Sequence, residues 1–213
     1  MDGLYQELAA AYARGMLGEA AETAPAELFT RARANGLKLH RFKRTMDLPR
    51  VRAVLGVLRG IAPASLVDFG SGRGVFLWPL LDAFPDLPVT AVERDARRLG
   101  HLEAVRRGGI ARLTVIGGDA CALPLATGSF DVATVLEVLE HQDDPAPLAR
   151  EAMRLASRFV IASVPSKPDD NPEHVQLFTA ASLTALLTEA GAANVRIDYV
   201  LGHIIAVARV GAR

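Results

Sequence analysis

The sequence predicts an α/β fold, a doubly wound, mostly parallel sheet of seven strands that ends in an antiparallel hairpin. Short apolar runs alternate with helical patterns between residues 66 and 165, which is typical of strands joined by crossover helices. A glycine-rich turn follows the first of these runs. The last two apolar runs are only a few residues apart, a connection that suits a hairpin and is too short for a crossover.

The glycine-rich turn lies within SLVDFGSGRGVFL, residues 65–77. An apolar strand at residues 66–69 is interrupted by Gly-Ser-Gly-Arg-Gly, after which helix-compatible apolar spacing resumes. Glycines 70 and 72 let the backbone turn sharply and come close to a ligand, which a Cβ would obstruct. Free N–H groups at the start of the following helix point into the same space. We therefore predict a binding site for a nucleoside-type small molecule at this turn.

Two residues of the turn indicate the charge of that ligand. A dinucleotide-binding turn requires G-x-G-x-x-G so that a pyrophosphate can lie at the helix N-terminus, but the sixth position here is Val75. Asp68, two residues before the first glycine, would repel a pyrophosphate and attract a cationic amino group. S-adenosylmethionine (SAM) has no phosphate and carries a sulfonium and an ammonium group, so the turn favours SAM over NAD(P).

The segment VDFGSGRG resembles the first motif of class I SAM-dependent methyltransferases, an acidic residue followed by G-x-G-x-G. The resemblance continues in order over roughly residues 51–210. It implies that SAM is the cofactor, that S-adenosylhomocysteine (SAH) is the product, and that the parallel sheet ends in an antiparallel hairpin. The cofactor-binding residues that we predict at the turn are Asp68, Gly70, Ser71, Gly72 and Gly74.

The region before the turn is predicted to be helical. Residues 2–24 read as one helix, broken near Gly15 or Gly18, and residues 25–34 as a second helix that begins at a proline. Residues 49–58 carry apolar side chains at i, i+3, i+4 and i+7, which predicts a helix with one buried stripe. We assign residues 1–48 to an N-terminal helical extension, which is an active-site cover, a packing appendage or a dimer surface, and residues 49–213 to the SAM-binding domain.

The elements after the turn alternate as a doubly wound sheet requires. We predict strands at residues 89–92, 113–116, 131–136, 159–164, 195–200 and 204–210, and helices at residues 75–84, 96–107, 145–156 and 179–190. Glu93, Asp119 and Glu137 follow the second, third and fourth strands. Because ligands bind beyond the carboxyl ends of parallel strands, these carboxylates are expected to converge with Asp68 on one site.

Two of these strand ends are predicted to hold the nucleoside. Glu93, with its neighbour Arg94, lies about twenty residues beyond the turn, where a carboxylate can accept hydrogen bonds from both ribose hydroxyls. Asp95 is the alternative, and we expect it to cap the next helix instead. Asp119 resembles the family residue that receives the adenine amino group, with the N–H of Ala120 available for a ring nitrogen.

Residues 137–141, EVLEH, supply the candidates for chemistry. Methyl transfer is an in-line displacement at a carbon that the sulfonium already activates, so the enzyme chiefly aligns the nucleophile and excludes water. A base matters only if the acceptor is a protonated oxygen, nitrogen or acidic carbon. If the segment begins a helical turn, Glu137, Glu140 and His141 stand on one face.

Three interpretations of EVLEH remain open. It resembles the same segment in methyltransferases of small molecules such as quinone precursors, which implies Glu137 beside the methionine part of SAM and His141 as a base. It also resembles metal-dependent 2′-O-methyltransferases of small-RNA 3′ ends, which implies a divalent ion held by Glu137, Glu140, His141 and His174. In the third, Glu140 and His141 are surface or capping groups. We expect Glu137 and His141 to be catalytic and no metal to be used, because Gln142 stands where the RNA enzymes usually show a histidine.

Composition limits the remaining possibilities. Of the 213 residues 50% are apolar and 23% are charged, with a formal net charge of zero, which indicates a soluble globular chain. A single cysteine, Cys121, excludes an intramolecular disulfide and suits a reducing compartment. Residues 1–10 have no basic n-region, and no apolar run approaches a membrane span. We expect a cytoplasmic protein with no membrane partner.

Charge is uneven at one place. Residues 31–59 contain nine lysines and arginines and only one acid, Asp47. This stretch is either a solvated helical face paired with acids elsewhere, or an anion-binding surface for a phosphate-bearing substrate such as RNA.

The sequence therefore predicts a SAM-dependent methyltransferase that modifies an oxygen, nitrogen or carbon of a small molecule. The alternatives are a metal-dependent RNA 2′-O-methyltransferase and a SAM-binding module without catalysis.

Overall fold

The computed structural model describes residues 3–45, 47–168 and 170–212. The α-helices within them are α1 Gln6–Leu17, α2 Pro25–Ala34, α3 Pro49–Ile61, α4 Leu77–Ala83, α5 Ala96–Arg107, α6 Ala146–Leu155 and α7 Ala180–Glu189. The strands are β1 Leu66–Phe69, β2 Val89–Glu93, β3 Leu113–Gly117, β4 Phe130–Leu136, β5 Ala156–Pro165, β6 Ala192–Val200 and β7 His203–Val210. Two short 3-10 helices occupy Leu39–Phe42 and Leu139–His141.

The seven strands form one sheet in the order β3-β2-β1-β4-β5-β7-β6. The first five in this order are parallel, whereas β7 runs antiparallel to both β5 and β6. The predicted fold class is confirmed, including the C-terminal hairpin. The strand order reverses at β1, which pairs with β2 on one side and β4 on the other. Such a reversal opens a crevice at the carboxyl ends of the strands, where ligands of doubly wound folds bind.

Most element boundaries agree with the predicted ones, and the differences have local causes. The helix predicted over residues 2–24, with a break near Gly15 or Gly18, ends at Leu17. The break at Gly18 is confirmed, because Gly18 adopts a left-handed conformation with φ 68° that closes the helix; residues 19–24 are not helical. Residues 1 and 2 lie outside the described residues. The first strand of the hairpin begins at Ala192, earlier than residue 195, since it pairs with β7 through an irregularity near Asn194.

The N-terminal helix α1 packs directly on α5. Residues 8–13 of α1 are all buried. A Cβ at Gly15 would lie 1.9 Å from the carbonyl oxygen of Ala104, and one at Gly108 would lie 1.7 Å from that of Ala11. The backbones are therefore in contact, and α1 belongs to the same apolar cluster as α3, α4 and α5. A domain boundary at residue 48 stays a prediction.

In the part of the chain that the structure describes, every helix is too short or too polar to span a bilayer.

Candidate active site

The turn after β1 has the backbone that the glycine pattern predicts. Gly70, Gly72 and Gly74 have φ values of 67°, 58° and 82°, a region that side chains other than glycine rarely adopt. A Cβ at Gly70 would lie 2.7 Å from Val138, and one at Gly74 would lie 2.0 Å from the Trp78 indole. Gly74 is thus required by Trp78, whereas a Cβ at Gly72 would meet the Gly70 carbonyl oxygen at an ordinary 3.6 Å, so it is the φ value that favours glycine there.

Asp68 is a buried carboxylate at the base of this turn. It is 2% exposed, and it accepts hydrogen bonds of 2.7 Å from the hydroxyls of Ser71 and Thr134. Burial raises the pKa of Asp68 to about 6, the two hydroxyls oppose that rise, and the charge of Glu93 adds to it. A nearby cation stabilises the ionised carboxylate and so lowers this pKa, and the ionised carboxylate in turn binds the cation.

Glu93 connects the end of β2 to the glycine turn. One carboxylate oxygen accepts the N–H of Gly72 at 2.8 Å and the other accepts the N–H of Asp95 at 2.9 Å. The side chain is buried and fixed, and each oxygen retains a further lone pair for a ligand. Asp95 caps α5 by accepting the N–H of Arg98 at 2.8 Å, as predicted.

Asp119 lies in the turn after β3. Its carboxylate accepts the N–H of Cys121 at 2.9 Å, so it has an ordinary turn role and lines a cavity as well. Burial, and then the charge of Asp119, raise the pKa of the Cys121 thiol. Because the thiolate is the nucleophile, this environment does not activate the cysteine.

Two cavities meet at the glycine turn. The wide cavity has a volume of about 460 Å³ and the narrow cavity about 180 Å³. Gly70, Gly72 and Glu137 line both. Of the other predicted site residues, Glu93, Arg94, Asp119, Ala120 and His141 line the wide cavity, and Asp68 and Ser71 line the narrow one. Gly74 lines neither of these cavities, consistent with its contact with Trp78.

Glu137 corrects one expectation. Its backbone has φ 56°, and the 3-10 helix begins only at Leu139, so Glu137 does not share a face with Glu140 and His141. The Glu137 carboxylate instead accepts a 2.6 Å hydrogen bond from the Ser163 hydroxyl and lies 3.1 Å from Nε2 of His203.

Ser163 and His203 were missed as site residues by the sequence analysis. Ser163 lies near the carboxyl end of β5, and His203 begins the antiparallel β7, where it pairs with Pro165. Their signal in the sequence is a polar residue at the end of an apolar run. This pattern identifies the two residues as neighbours only once β7 is known to run antiparallel to β5, because that pairing brings the start of β7 to the carboxyl end of β5.

Glu140, His141 and His174 form a second cluster. Their candidate ligand atoms lie within 4.8 Å of one another, and Glu140 is 1% exposed with an oxygen 4.0 Å from Nε2 of His174. His141 contacts the carbonyl of Glu173 at 2.8 Å through Nδ1, which leaves Nε2 for a ligand. One carboxylate and two imidazoles suit Mn²⁺, Fe²⁺ or Zn²⁺. The four-residue metal set of the alternative interpretation is reduced to these three, because the Glu137 carboxylate contacts Ser163 and His203 instead.

Comparison with known proteins agrees with this geometry. A family model described as a methyltransferase domain matches residues 67–158. The ubiquinone biosynthesis O-methyltransferase of Ralstonia nicotianae (strain ATCC BAA-1114 / GMI1000) is 32% identical over 95 residues, which are 45% of this chain and 40% of that protein. The chain thus spans about two fifths of the curated relative that it matches.

Solved structures extend the likeness to the fold. A candidate O-methyltransferase from Nostoc punctiforme PCC 73102 has a TM-score of 0.64 at 16% identity, covering 93% of this chain and 67% of the other. The magnesium protoporphyrin IX methyltransferase of Synechocystis PCC 6803, with bound SAH, has a TM-score of 0.61 at 18% identity, covering 76% and 82%. The predicted resemblance to class I SAM-dependent methyltransferases is confirmed, by the methyltransferase-domain match over residues 67–158 and by the fold shared with these solved structures.

Proposed function

We propose that this chain transfers a methyl group from SAM to a nucleophilic atom of a small molecule. One observation carries the proposal: Asp68, Glu93 and Glu137, from three neighbouring strands, place carboxylates around the meeting point of the wide and narrow cavities. A cationic nucleoside matches that charge, and a pyrophosphate would be repelled by it.

Each carboxylate has a separate task in this proposal. Glu93 accepts hydrogen bonds from the ribose hydroxyls, and Asp119 accepts the adenine amino group while the N–H of Ala120 meets the ring. Asp68 attracts the ammonium group in the narrow cavity, where Arg50 also lies and can pair with the carboxylate of the methionine part. SAM supplies a methyl group that its sulfonium has already activated.

The acceptor is proposed to be a small molecule with a hydroxyl group. The narrow cavity has apolar walls from α3 and the turn, contributed by Val51, Val54, Val75 and Phe76. Glu137 lines both cavities, which supports the proposal that it orients the acceptor, and His141 in the wide cavity is the proposed base. The name of the curated relative, an O-methyltransferase, favours oxygen over nitrogen or carbon.

Cofactor binding is tested first, by calorimetric titration of SAH into the wild-type protein and two variants. Glu93→Gln removes the charge at the proposed ribose site, and Asp86→Asn removes an exposed charge in the loop before β2. We expect Glu93→Gln to weaken SAH binding by about tenfold or more, with Asp86→Asn unchanged. Equal affinities for all three proteins would refute the assignment of Glu93.

The acceptor class is tested with methyl-labelled SAM and a cell extract divided into small-molecule, protein and RNA fractions, each with and without EDTA. We expect label in small molecules, whether or not EDTA is present. A non-catalytic SAM-binding module would bind SAH yet leave every fraction unlabelled.

A second candidate function rests on the cluster of Glu140, His141 and His174. A divalent ion held there would suit metal-dependent 2′-O-methylation of RNA. Label in the RNA fraction that EDTA abolishes, and that Glu140→Gln also abolishes, would support this function and overturn the first. The metal itself has a separate readout, the stoichiometric binding of Mn²⁺ by the wild type but not by Glu140→Gln.

A further inference from the structure

A third cavity, of about 610 Å³, adjoins the glycine turn and is lined mainly by cationic side chains. We call it the basic cleft. Its charged and imidazole residues are Lys38, His40, Arg41, Lys43, Arg73, Arg97, Arg98 and His101, with Asp95 as the carboxylate among them. These residues come from the segment between α2 and α3, from the turn and from the start of α5. The fold therefore brings these residues together, and no single segment of the sequence contains all of them.

The cations of the basic cleft outnumber its acids, since six lysines and arginines share the cleft with one carboxylate, Asp95. Among the described residues, none of its lysines or arginines is within ion-pair distance of a carboxylate. Other cations of the basic stretch differ, since Arg31 pairs with Glu19 and Glu27, and Arg44 with Asp82. Asp95 acts electrostatically on Arg97 and Arg98, but one carboxylate leaves a net positive charge in the cleft. The remaining like charges repel one another, and a bound anion relieves that repulsion.

The Arg41 side chain is held in place by three contacts. Its Nε donates to the carbonyl of Lys38 at 3.1 Å, its guanidinium lies 5.1 Å from the centre of the Tyr12 ring, and one terminal nitrogen contacts Nδ1 of His101. A guanidinium only donates, so Nδ1 of His101 accepts and the imidazole is neutral. Burial, followed by Arg41 and Arg97, lowers the pKa of His101. Burial also lowers the pKa of Arg41, with Arg97 and Arg73 contributing.

The cleft is continuous with both cavities of the candidate active site. Gly72, Asp95 and Arg98 also line the wide cavity, and Gly72, Arg73 and Val75 also line the narrow one. A ligand bound in the cleft can therefore extend along the turn towards Asp68 and Glu137. The cleft volume lies within the range of ordinary small-molecule sites.

We propose that the basic cleft binds the phosphate group of the methyl acceptor, which is thus a phosphorylated small molecule. This proposal rests on the proposed function. Six cations matched to one site favour a doubly charged phosphate over a single carboxylate, and arginine binds phosphate through paired N–H groups. Single-stranded RNA is disfavoured because Trp78, the one Trp, Tyr or Phe among the described residues that line the cleft, is buried and offers no face for base stacking.

The test uses pyrophosphate as the probe and the only tryptophan of the chain as the reporter. Trp78 lines the cleft, and its indole N–H donates to the carbonyl of Arg73 at 3.0 Å, so we expect its fluorescence to change when an anion binds beside Arg73; calorimetric titration measures the same binding without a reporter. The double variant Lys43→Gln/Arg97→Gln removes two exposed cleft charges. Its matched control, Arg52→Gln/Arg59→Gln, removes two exposed charges of α3 that lie outside the cleft.

We expect saturable pyrophosphate binding that the cleft variant weakens by about tenfold or more and that the control variant changes by less than about twofold. Saturating SAH should leave the affinity unchanged. The proposal is overturned if both variants weaken binding equally, if the wild type shows no saturable response, or if SAH displaces pyrophosphate. If a single-stranded RNA binds more tightly than pyrophosphate, and if the cleft variant loses that binding, the ligand of the cleft is RNA and the small-molecule proposal is overturned.

The identity of the bound molecule as acceptor has its own test. Phosphatase treatment of the small-molecule extract, followed by removal of the phosphatase, should abolish methyl labelling. Labelling that survives would overturn the acceptor assignment. SAH binding is measured separately on the same proteins. A failure of the cofactor-site proposal, seen as altered SAH binding, can therefore be distinguished from a failure of the phosphate-site proposal, seen as altered pyrophosphate binding.

Discussion

Nε2 of His203 lies 3.1 Å from a carboxylate oxygen of Glu137, so the first residue of β7 contacts the residue that follows β4. Between these strands lies β5, whose Ser163 donates to the same carboxylate at 2.6 Å. Three adjacent strands therefore fix one carboxylate at the junction of the two cavities. The remaining ring nitrogen of His203 contacts the carbonyl of Leu201 at 3.0 Å, which fixes the orientation of the imidazole.

Removing this imidazole should affect catalysis more than cofactor binding. His203→Ala leaves Glu137 with Ser163 alone, so the carboxylate loses part of its orientation. We expect kcat on the labelled acceptor fraction to fall by about tenfold, while the Kd for SAH changes by less than about threefold. His203→Gln, whose amide can still donate to Glu137, should recover part of the rate. An unchanged kcat in both variants would exclude a positioning role for His203.

The left-handed backbone of Glu137 can be tested by stability. An L-residue in this conformation costs about 1–2 kcal/mol, which glycine avoids. Glu137→Gly and Glu137→Ala both remove the carboxylate, so their difference isolates the backbone. We expect the glycine variant to be more stable in urea unfolding by roughly 1 kcal/mol. An alanine variant of equal or greater stability would contradict the φ of 56° described here.

Asp68 predicts how cofactor affinity depends on pH. The pKa of Asp68 in the folded protein is about 6, above its ordinary value of 3.8. The ligand-free protein therefore loses stability as the pH rises from about 4 to 6, because Asp68 must then ionise in a buried site. Binding of an ammonium group favours the ionised form. Affinity for SAH should therefore fall as the pH drops through 6, by about tenfold between pH 7 and pH 5.

The control for this profile is Asp68→Asn. It should bind SAH weakly and show a flat dependence over the same pH range, checked by calorimetry with circular dichroism to confirm folding. A wild-type profile that is also flat would mean that Asp68 does not contact the ammonium.

The contact between α1 and α5 predicts opposite effects for two helix glycines. Gly56→Ala, in α3, places its Cβ in open space and should stabilise the protein by roughly 0.5–1 kcal/mol. Gly15→Ala places its Cβ 1.9 Å from the carbonyl oxygen of Ala104 and should destabilise it by about 1–3 kcal/mol. Thermal and urea unfolding measure both. A Gly15→Ala variant as stable as Gly56→Ala would refute direct backbone contact.

The parts of the site that lie in one stretch of sequence were predictable. Asp68 and its glycines form a local pattern, and Glu93 is located by its distance from that pattern and by the end of a strand. The environment of Glu137 was not predictable in this way. Ser163 and His203 reach it only through antiparallel pairing, and a left-handed residue other than glycine has no strong sequence signal.

The basic cleft illustrates the same limit at a larger scale. The excess of positive charge near Lys38 and Lys43 was visible in the sequence, and its interpretation stayed open. Arg73 and Arg97 complete the cleft from two other elements, and both lie outside the basic stretch at residues 31–59. Which cations are paired and which remain unpaired depends on long-range contacts that no local pattern encodes.

The close contact between α1 and α5 also bears on the order in which the chain folds. Arg14 donates to the carbonyl of Gly108, 94 residues later in the chain, so the N-terminal helix leaves the ribosome long before its partner exists. A short helix has little stability without tertiary contacts, and contacts of such separation form slowly. Helix α1 must therefore wait until α5 has been synthesised before it gains these contacts, and its apolar face is exposed to aggregation or chaperone binding during that interval.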